Sequence, residues 1–298
     1  MIVMEIDLKG RTAIVTGAGG GLGRAHAIAL AAHGARIVVN DVGGGAGTVV
    51  EEIAGLGGQA MADDTDITDA AAVNAMIDTV EKNWGGVDIL VNNAGILRDR
   101  SFAKMEMEDF RAVIEVHLMG SVHCAKAVWA GMRERRYGRI IFTTSSSGLF
   151  GNFGQANYAA AKMALVGFMK TLRLEGEKYD IRVNCLSPSA ATRMTDGLYQ
   201  PEDLSRLNPA LVAPAVVALS SDDAPSGAIL CAGAGSFEVA KIMLTQGLCL
   251  DEHNTADTIL SSWRDIDDHQ HAFVPDHGPD QFGYEISRAK GAAASRGA

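Results

Sequence analysis

The 298-residue chain predicts an α/β fold: one doubly wound domain, a parallel sheet with helices on both faces, followed by a C-terminal extension. Three observations carry that expectation. Short β-branched, apolar runs alternate with longer helical stretches from Thr12 to Leu186. Those runs are almost continuously apolar, as strands covered on both faces are. Glycine, with 34 residues, is unusually frequent and clusters where strands give way to turns.

Residues 12–16 (TAIVT) read as a strand ending at Gly17, and an Ala-rich helix over 24–33 is closed by Gly34. Residues 35–40 (ARIVVN) form the second strand, which completes a strand–turn–helix–strand unit. After a Gly-rich insert the pattern predicts a helix over 48–56, a strand over 59–62, a helix over 68–84 and a buried strand over 87–91. Residues 102–136 suffice for one or two helices. A strand over 139–144, a long helix over 158–179 and a strand over 181–186 follow. Past about Gln246 the pattern fails. Residues 1–245 are therefore expected to form the domain, and 246–298, with acidic and His-containing stretches and a small-residue tail, an extension that partly folds onto it and has a loose end.

Composition narrows the function. Lys plus Arg number 26 and Asp plus Glu 36, a net charge of −10, the wrong sign for a phosphate-backbone partner. No run approaches the ~20 apolar residues of a membrane span, and the start lacks a signal-like pattern. Four cysteines stand singly, without CxxC spacing, as expected of a reducing, cytoplasmic setting. Neither nucleic acid nor a membrane is therefore an expected partner.

The segment Thr16-Gly17-Ala18-Gly19-Gly20-Gly21-Leu22-Gly23 places Gly17, Gly21 and Gly23 between a strand and a helix. There a bare backbone can approach a pyrophosphate, and helix N-terminal amides face its charge. Asp41, just past the second strand, can accept from ribose hydroxyls and would repel a 2′-phosphate, which predicts NAD over NADP; Gly20, where a basic residue would favour NADP, agrees. A plain turn acid is the alternative for Asp41, and Arg24 is close enough in sequence to reach a phosphate.

Three further pieces are Asn92-Asn93-Ala94-Gly95 after the fourth strand, Ser145 after the fifth, and Tyr158-Ala159-Ala160-Ala161-Lys162 at the start of the long helix. Tyr158 and Lys162, four apart, share one helix face. Together with the TGxxxGxG loop these segments resemble the short-chain dehydrogenase/reductase superfamily over about residues 7–240. The resemblance implies a Rossmann fold and roles for the site residues. Tyr158 exchanges a proton with the substrate oxygen, Lys162 lowers its pKa and holds the nicotinamide ribose, and Ser145 binds the substrate oxygen. It also implies cofactor contacts from Gly17, Gly21, Leu22, Gly23, Asp41, Asp66, Ile67, Asn93, Ala94, Gly95, Tyr158, Lys162 and Thr192. His117 occupies the place where many relatives carry a fourth catalytic residue, an Asn; a proton relay through water and a merely satisfied helix histidine are both open. Pro188-Ser189 replaces the family's usual Pro-Gly.

Longer stretches, residues 39–44, 92–102 and 148–162 with Arg193-Met194-Thr195, resemble the (3R)-hydroxyacyl-CoA dehydrogenase part of peroxisomal multifunctional enzyme type 2, also a 17β-hydroxysteroid dehydrogenase. This implies a stand-alone, bacterial version that oxidises a (3R)-hydroxyacyl-CoA with NAD. An NADPH-dependent 3-oxoacyl-carrier-protein reductase, a hydroxysteroid dehydrogenase and a non-catalytic NAD-binding module are the alternatives. It also implies a homodimer or homotetramer paired through the two long helices. A polyanionic CoA needs local positive charge. Arg98, Arg100, Lys104 and Arg193 are candidates, unless the loop arginines pair with Asp99 and neighbouring acids. Residues 151–154 (GNFG) are a candidate wall for an acyl chain. Asp267 to His271 reads as polar surface rather than a metal site.

Overall fold

The computed structural model describes residues 6–192, 201–250 and 255–296. Its sheet has eight strands: β1 (Thr12–Thr16), β2 (Arg36–Asn40), β3 (Gln59–Asp63), β4 (Ile89–Asn92), β5 (Gly138–Thr143), β6 (Ile181–Ser189), β7 (Ile229–Gly233) and β8 (Ser236–Ala240). They lie in the order β3-β2-β1-β4-β5-β6-β7-β8, and β3 through β7 are all parallel. β8 follows β7 through Ala234-Gly235, both at positive φ (51° and 81°). A two-residue link of that kind joins antiparallel strands only. The chain runs outward from β1 to β3, then returns to lay β4 beside β1. At that reversal the loops part, and a crevice opens beyond the strand ends.

Helices cover both faces: α1 (Gly21–Ala32), α2 (Ala46–Gly55), α3 (Ala70–Trp84), α4 (Met107–Ile114), α5 (Gly120–Arg135), α6 (Ser146–Phe150), α7 (Ala156–Gly176), α8 (Pro201–Leu204) and α9 (Ala213–Ser220). Strand residues alternate between two cores. Ala13, Val15, Ile37, Val39, Ile89, Val91 and Ile141 pack with Leu30 of α1, Ile53 of α2 and Val216 of α9. Leu90, Ile140 and Phe142 are buried on the other face, where the Phe142 and Phe168 rings approach to 5.3 Å. Each fully buried side chain of this size contributes about 1.5–3 kcal/mol relative to exposure.

The expected doubly wound sheet is present, with most element ends shifted by one to three residues. Residues 102–136 hold a 3₁₀ turn (Phe102–Lys104), then α4, a π-helical turn (Glu115–Met119) and α5 in continuous succession. The short α6 and the elements after β6 have no counterpart in the sequence reading, because SSSGLF and the short β7 and β8 lack a clear period.

Contacts group the chain into residues 1–239 and 240–298. The second unit contains α10 (Ala256–Ser261), α11 (Trp263–Ile266) and α12 (Gly278–Arg296). The failing pattern past Gln246 therefore hid a 19-residue helix. Its apolar residues are sparse, and its start is set instead by the Asp280 carboxylate, which accepts the amides of Asp276 (2.7 Å) and His277 (3.0 Å). Within this unit Phe273 packs on Tyr284, whose hydroxyl donates to the Gln246 carbonyl.

Candidate active site

The loops after β1 and β4 meet at the crevice and are tied side chain to backbone by Thr16 and Asn93. Thr16 Oγ1 accepts the amides of Asn93 (3.0 Å) and Ala94 (3.1 Å), while Asn93 Nδ2 donates to the carbonyls of Thr16 and Gly17. Gly17 has φ +62°, and a Cβ there would lie 2.7 Å from Ala94 Cα. No side chain caps α1 at Gly20, so the first amides of this 12-residue helix are left for an anion. Thr192 lies over Gly21, its methyl 3.4 Å from the place of a Cβ.

Asp41 accepts Gly19 N at 2.9 Å and Gly43 N at 2.6 Å, which fixes the carboxylate beside the glycine loop. Arg24 is paired with Glu52 at 2.6 Å. Asp66 accepts both the amide and the hydroxyl of Thr68, whereas the Ile67 side chain is buried against Gly120. The bare loop, uncapped helix and fixed carboxylate fit a dinucleotide.

β5 and α7 deliver the reactive side chains. Ser145 caps α6 by accepting Ser147 N at 3.2 Å, and its side chain lines the same cavity as the Tyr158 phenol. Lys162, one turn along α7, is buried and donates from Nζ to the Thr143 carbonyl at 2.6 Å; it lies 5.5 Å from the Tyr158 ring centre. Thr144 Oγ1 anchors the same turn by donating to the Lys162 carbonyl. Ser145, Tyr158 and Lys162 line a cavity of about 190 Å³ together with Leu22, Asn93 and Gly95.

Burial dominates the titration of these groups. It raises the Tyr158 pKa above its ordinary value, against the lowering influence of the nearby Ser145 hydroxyl and with the help of Asp99. It brings Lys162 down to about 7, far below an ordinary lysine. The expected lowering of Tyr158 by a lysine ammonium is therefore not what governs the phenol in the protein alone. Burial, with the Lys162 charge, takes His117 down to about 3. That histidine points into the same cavity from the π-helical turn.

Residues 11–203 match the short chain dehydrogenase family. The chain belongs to that family. A short-chain type dehydrogenase/reductase of Mycobacterium tuberculosis is 44% identical over 273 residues, 88% of this chain and 95% of that one. The peroxisomal hydratase-dehydrogenase-epimerase of Saccharomyces cerevisiae is 42% identical over 89% of this chain, which spans 31% of the yeast protein. The full-length peroxisomal multifunctional enzyme type 2 of Drosophila melanogaster superposes with a TM-score of 0.83 at 34% identity, over 96% of this chain and 50% of the fly chain. This short-chain dehydrogenase is thus an oxidoreductase acting on CH–OH groups with a nicotinamide cofactor.

Two polar residues, Asn152 within the 151–154 stretch and Gln155 just after it, which the sequence does not single out as polar contacts, also line the dehydrogenase cavity. Gln155 donates to Asp99 at 2.7 Å and accepts from Asn152 Nδ2 at 3.0 Å. Their signal was a pair of amide side chains within the glycine-rich stretch before Tyr158. Asp99 is engaged there, and Arg98 pairs with Asp109 at 3.6 Å. Arg100 and Lys104 are exposed and form no ion pair among the described residues. Arg193 lies outside the described residues. The 151–154 turn is formed with Gly151 and Gly154 at positive φ, and the Gly154 carbonyl accepts Arg100 N at 2.9 Å.

Proposed function

We propose that the enzyme oxidises a (3R)-hydroxyacyl-CoA to the 3-oxoacyl-CoA with NAD, Tyr158 serving as the base. The observation that carries this reading is the gathering of Ser145 and Tyr158 in one cavity with buried Lys162 one turn behind, bounded by the glycine and NNAG loops. NAD, when bound, supplies the acceptor for the hydride leaving C3. Ser145 holds the substrate oxygen, and Tyr158 takes the hydroxyl proton as the carbonyl forms. Lys162, when protonated, favours the phenolate form of Tyr158. Asp41 supports NAD, because a 2′-phosphate would face a fixed carboxylate. Likeness to the multifunctional enzymes supports the acyl-CoA class, and the free charges of Arg100 and Lys104 suit its phosphates.

The test is NADH formation with (3R)- and (3S)-hydroxyacyl-CoAs and 17β-hydroxysteroids, each run with NAD and NADP. Turnover confined to (3R)-hydroxyacyl-CoA with NAD is expected. A clear NADP preference, or turnover of steroids alone, sinks the assignment. Tyr158→Phe should lower kcat by about 10²–10⁴ with NADH binding retained; unchanged turnover would exclude Tyr158 as the base.

A further inference from the structure

The wall of the catalytic cavity continues outward as a ledge built from two segments. Residues 98–101 run beside residues 154–157. Asn157 Nδ2 donates to the Arg98 carbonyl at 2.9 Å, Gln155 Nε2 to the Asp99 carboxylate at 2.7 Å, and Arg100 N to the Gly154 carbonyl at 2.9 Å. Leu97, Asn152 and Gln155 face the cavity itself. The same register brings residues 102 and 153 to the outer end of the ledge, where Gly151 and Gly154, at φ +82° and +84°, bracket the turn that carries Phe153.

The outer end is aromatic and cationic at once. Phe102 is 74% exposed and Phe153 90%. A single exposed apolar residue is ordinary, but here two rings stand beside two cations. Arg100 and Lys104 are exposed and form no ion pair among the described residues. The nearby acids are engaged elsewhere: Asp99 by Gln155, Asp109 by Arg98 at 3.6 Å and Glu108 by Arg111 at 3.5 Å. Residues 98–104 thus hold three cations and one acid in a chain of net charge −10. Exposed aromatic faces take up a base by stacking, and unpaired cations beside them take up phosphates.

We propose that Phe102, Phe153, Arg100 and Lys104 form a subsite for the 3′-phosphoadenosine diphosphate end of coenzyme A. The rings hold the adenine and the cations the phosphates, while the pantetheine arm runs inward past Asn152 and Gln155 to the catalytic cavity. The proposal rests on the hydroxyacyl-CoA reading above and adds which residues read the far end of that substrate. Steroids and acyl-pantetheines lack this end, so the ledge favours CoA thioesters over both.

The test compares one (3R)-hydroxyacyl group carried on CoA and on pantetheine. In the native enzyme kcat/KM should be higher for the CoA thioester, with the difference in KM, and the ratio should narrow as salt is added. That ratio should fall about tenfold in Phe153→Ala, as loss of a stacked base does. It should fall further when Arg100→Glu and Lys104→Glu are combined, and then no longer depend on salt. Phe153→Trp, which keeps a stacking face, should preserve it. A native ratio near one, or a ratio that no variant moves, overturns the proposal. So does dissociation of an oligomer in size-exclusion chromatography of Phe153→Ala with equal losses on both thioesters, which would assign the rings to contact between copies. Adenosine 3′,5′-bisphosphate, titrated calorimetrically into the NADH-saturated enzyme, reads the subsite with no acyl group present. Binding that the variants weaken is expected, and no binding at saturating NADH overturns the proposal. If neither thioester is turned over, the substrate reading fails and this titration still decides the subsite.

Discussion

Each oxygen of the Asp41 carboxylate accepts one backbone amide, Oδ2 from Gly19 and Oδ1 from Gly43. Glycine makes both approaches feasible: a Cβ on Gly19 would lie 2.9 Å from Asp41 Cγ, and one on Gly43 2.8 Å from Oδ1. The carboxylate is thereby held still, and its charge opposes any phosphate added to the neighbouring ribose. Asp41→Asn keeps the shape and removes the charge. A like-charge term of about 2 kcal/mol at a half-exposed site corresponds to roughly thirtyfold. The ratio of kcat/KM for NADP to that for NAD should rise by about that factor; a ratio that does not move would show that specificity resides elsewhere. The sequence located Asp41 through its place after the second strand, but its grip was not readable. One of the amides is 22 residues away and becomes a partner only when β1 and β2 pair.

The strand–loop–helix junction of β1 and α1 depends on close backbone packing. A Cβ on Gly23 would lie 2.2 Å from the Gly17 carbonyl and 2.7 Å from Asn93 Nδ2, so it would push apart the two loops that form the crevice. Gly23→Ala should cost about 2 kcal/mol, roughly 3 °C in Tm at this chain length, and should abolish NADH binding. Gly47, on α2, has open space around it, and Gly47→Ala should gain about 0.5 kcal/mol by helix propensity. Thermal melts of both variants check the contrast; equal losses would mean that generic glycine effects, not the junction, set the outcome. Such junctions were largely readable because glycine punctuation and short apolar runs are local signals. The π-helical turn was not, since Glu115–Met119 has the composition of any helix. The short α6 escaped because its boundary is a side-chain cap by Ser145, and α12 because glycine, alanine and serine obscure its apolar stripe.

Net stability of 5–15 kcal/mol leaves little room for groups that titrate differently in the folded and unfolded chain. His26, on α1, is fully buried with both ring nitrogens unpartnered, and burial takes its pKa down to about 4. His117 falls to about 3. Between pH 6.5 and those values the unfolded chain binds protons that the folded protein refuses, so stability declines as pH falls through this window. Each histidine contributes a slope of about 1.4 kcal/mol per pH unit, roughly 3 kcal/mol over the range for His26. Lys162 has the same sign at higher pH: between about 7 and 10.5 the unfolded chain holds a proton that the folded one has lost, so its contribution rises as pH rises. The protein should therefore be more acid-sensitive than its acidic surface charge alone suggests. Leu at position 26 removes two unsatisfied nitrogens and retains an apolar volume, a replacement that is often neutral or stabilising. Urea midpoints measured from pH 4.5 to 8 should show His26→Leu more stable than the native protein below pH 6, with a shallower dependence on pH. Parallel curves for the two proteins would mean that His26 is hydrated or protonated in the folded state, and that the acid sensitivity arises from other groups.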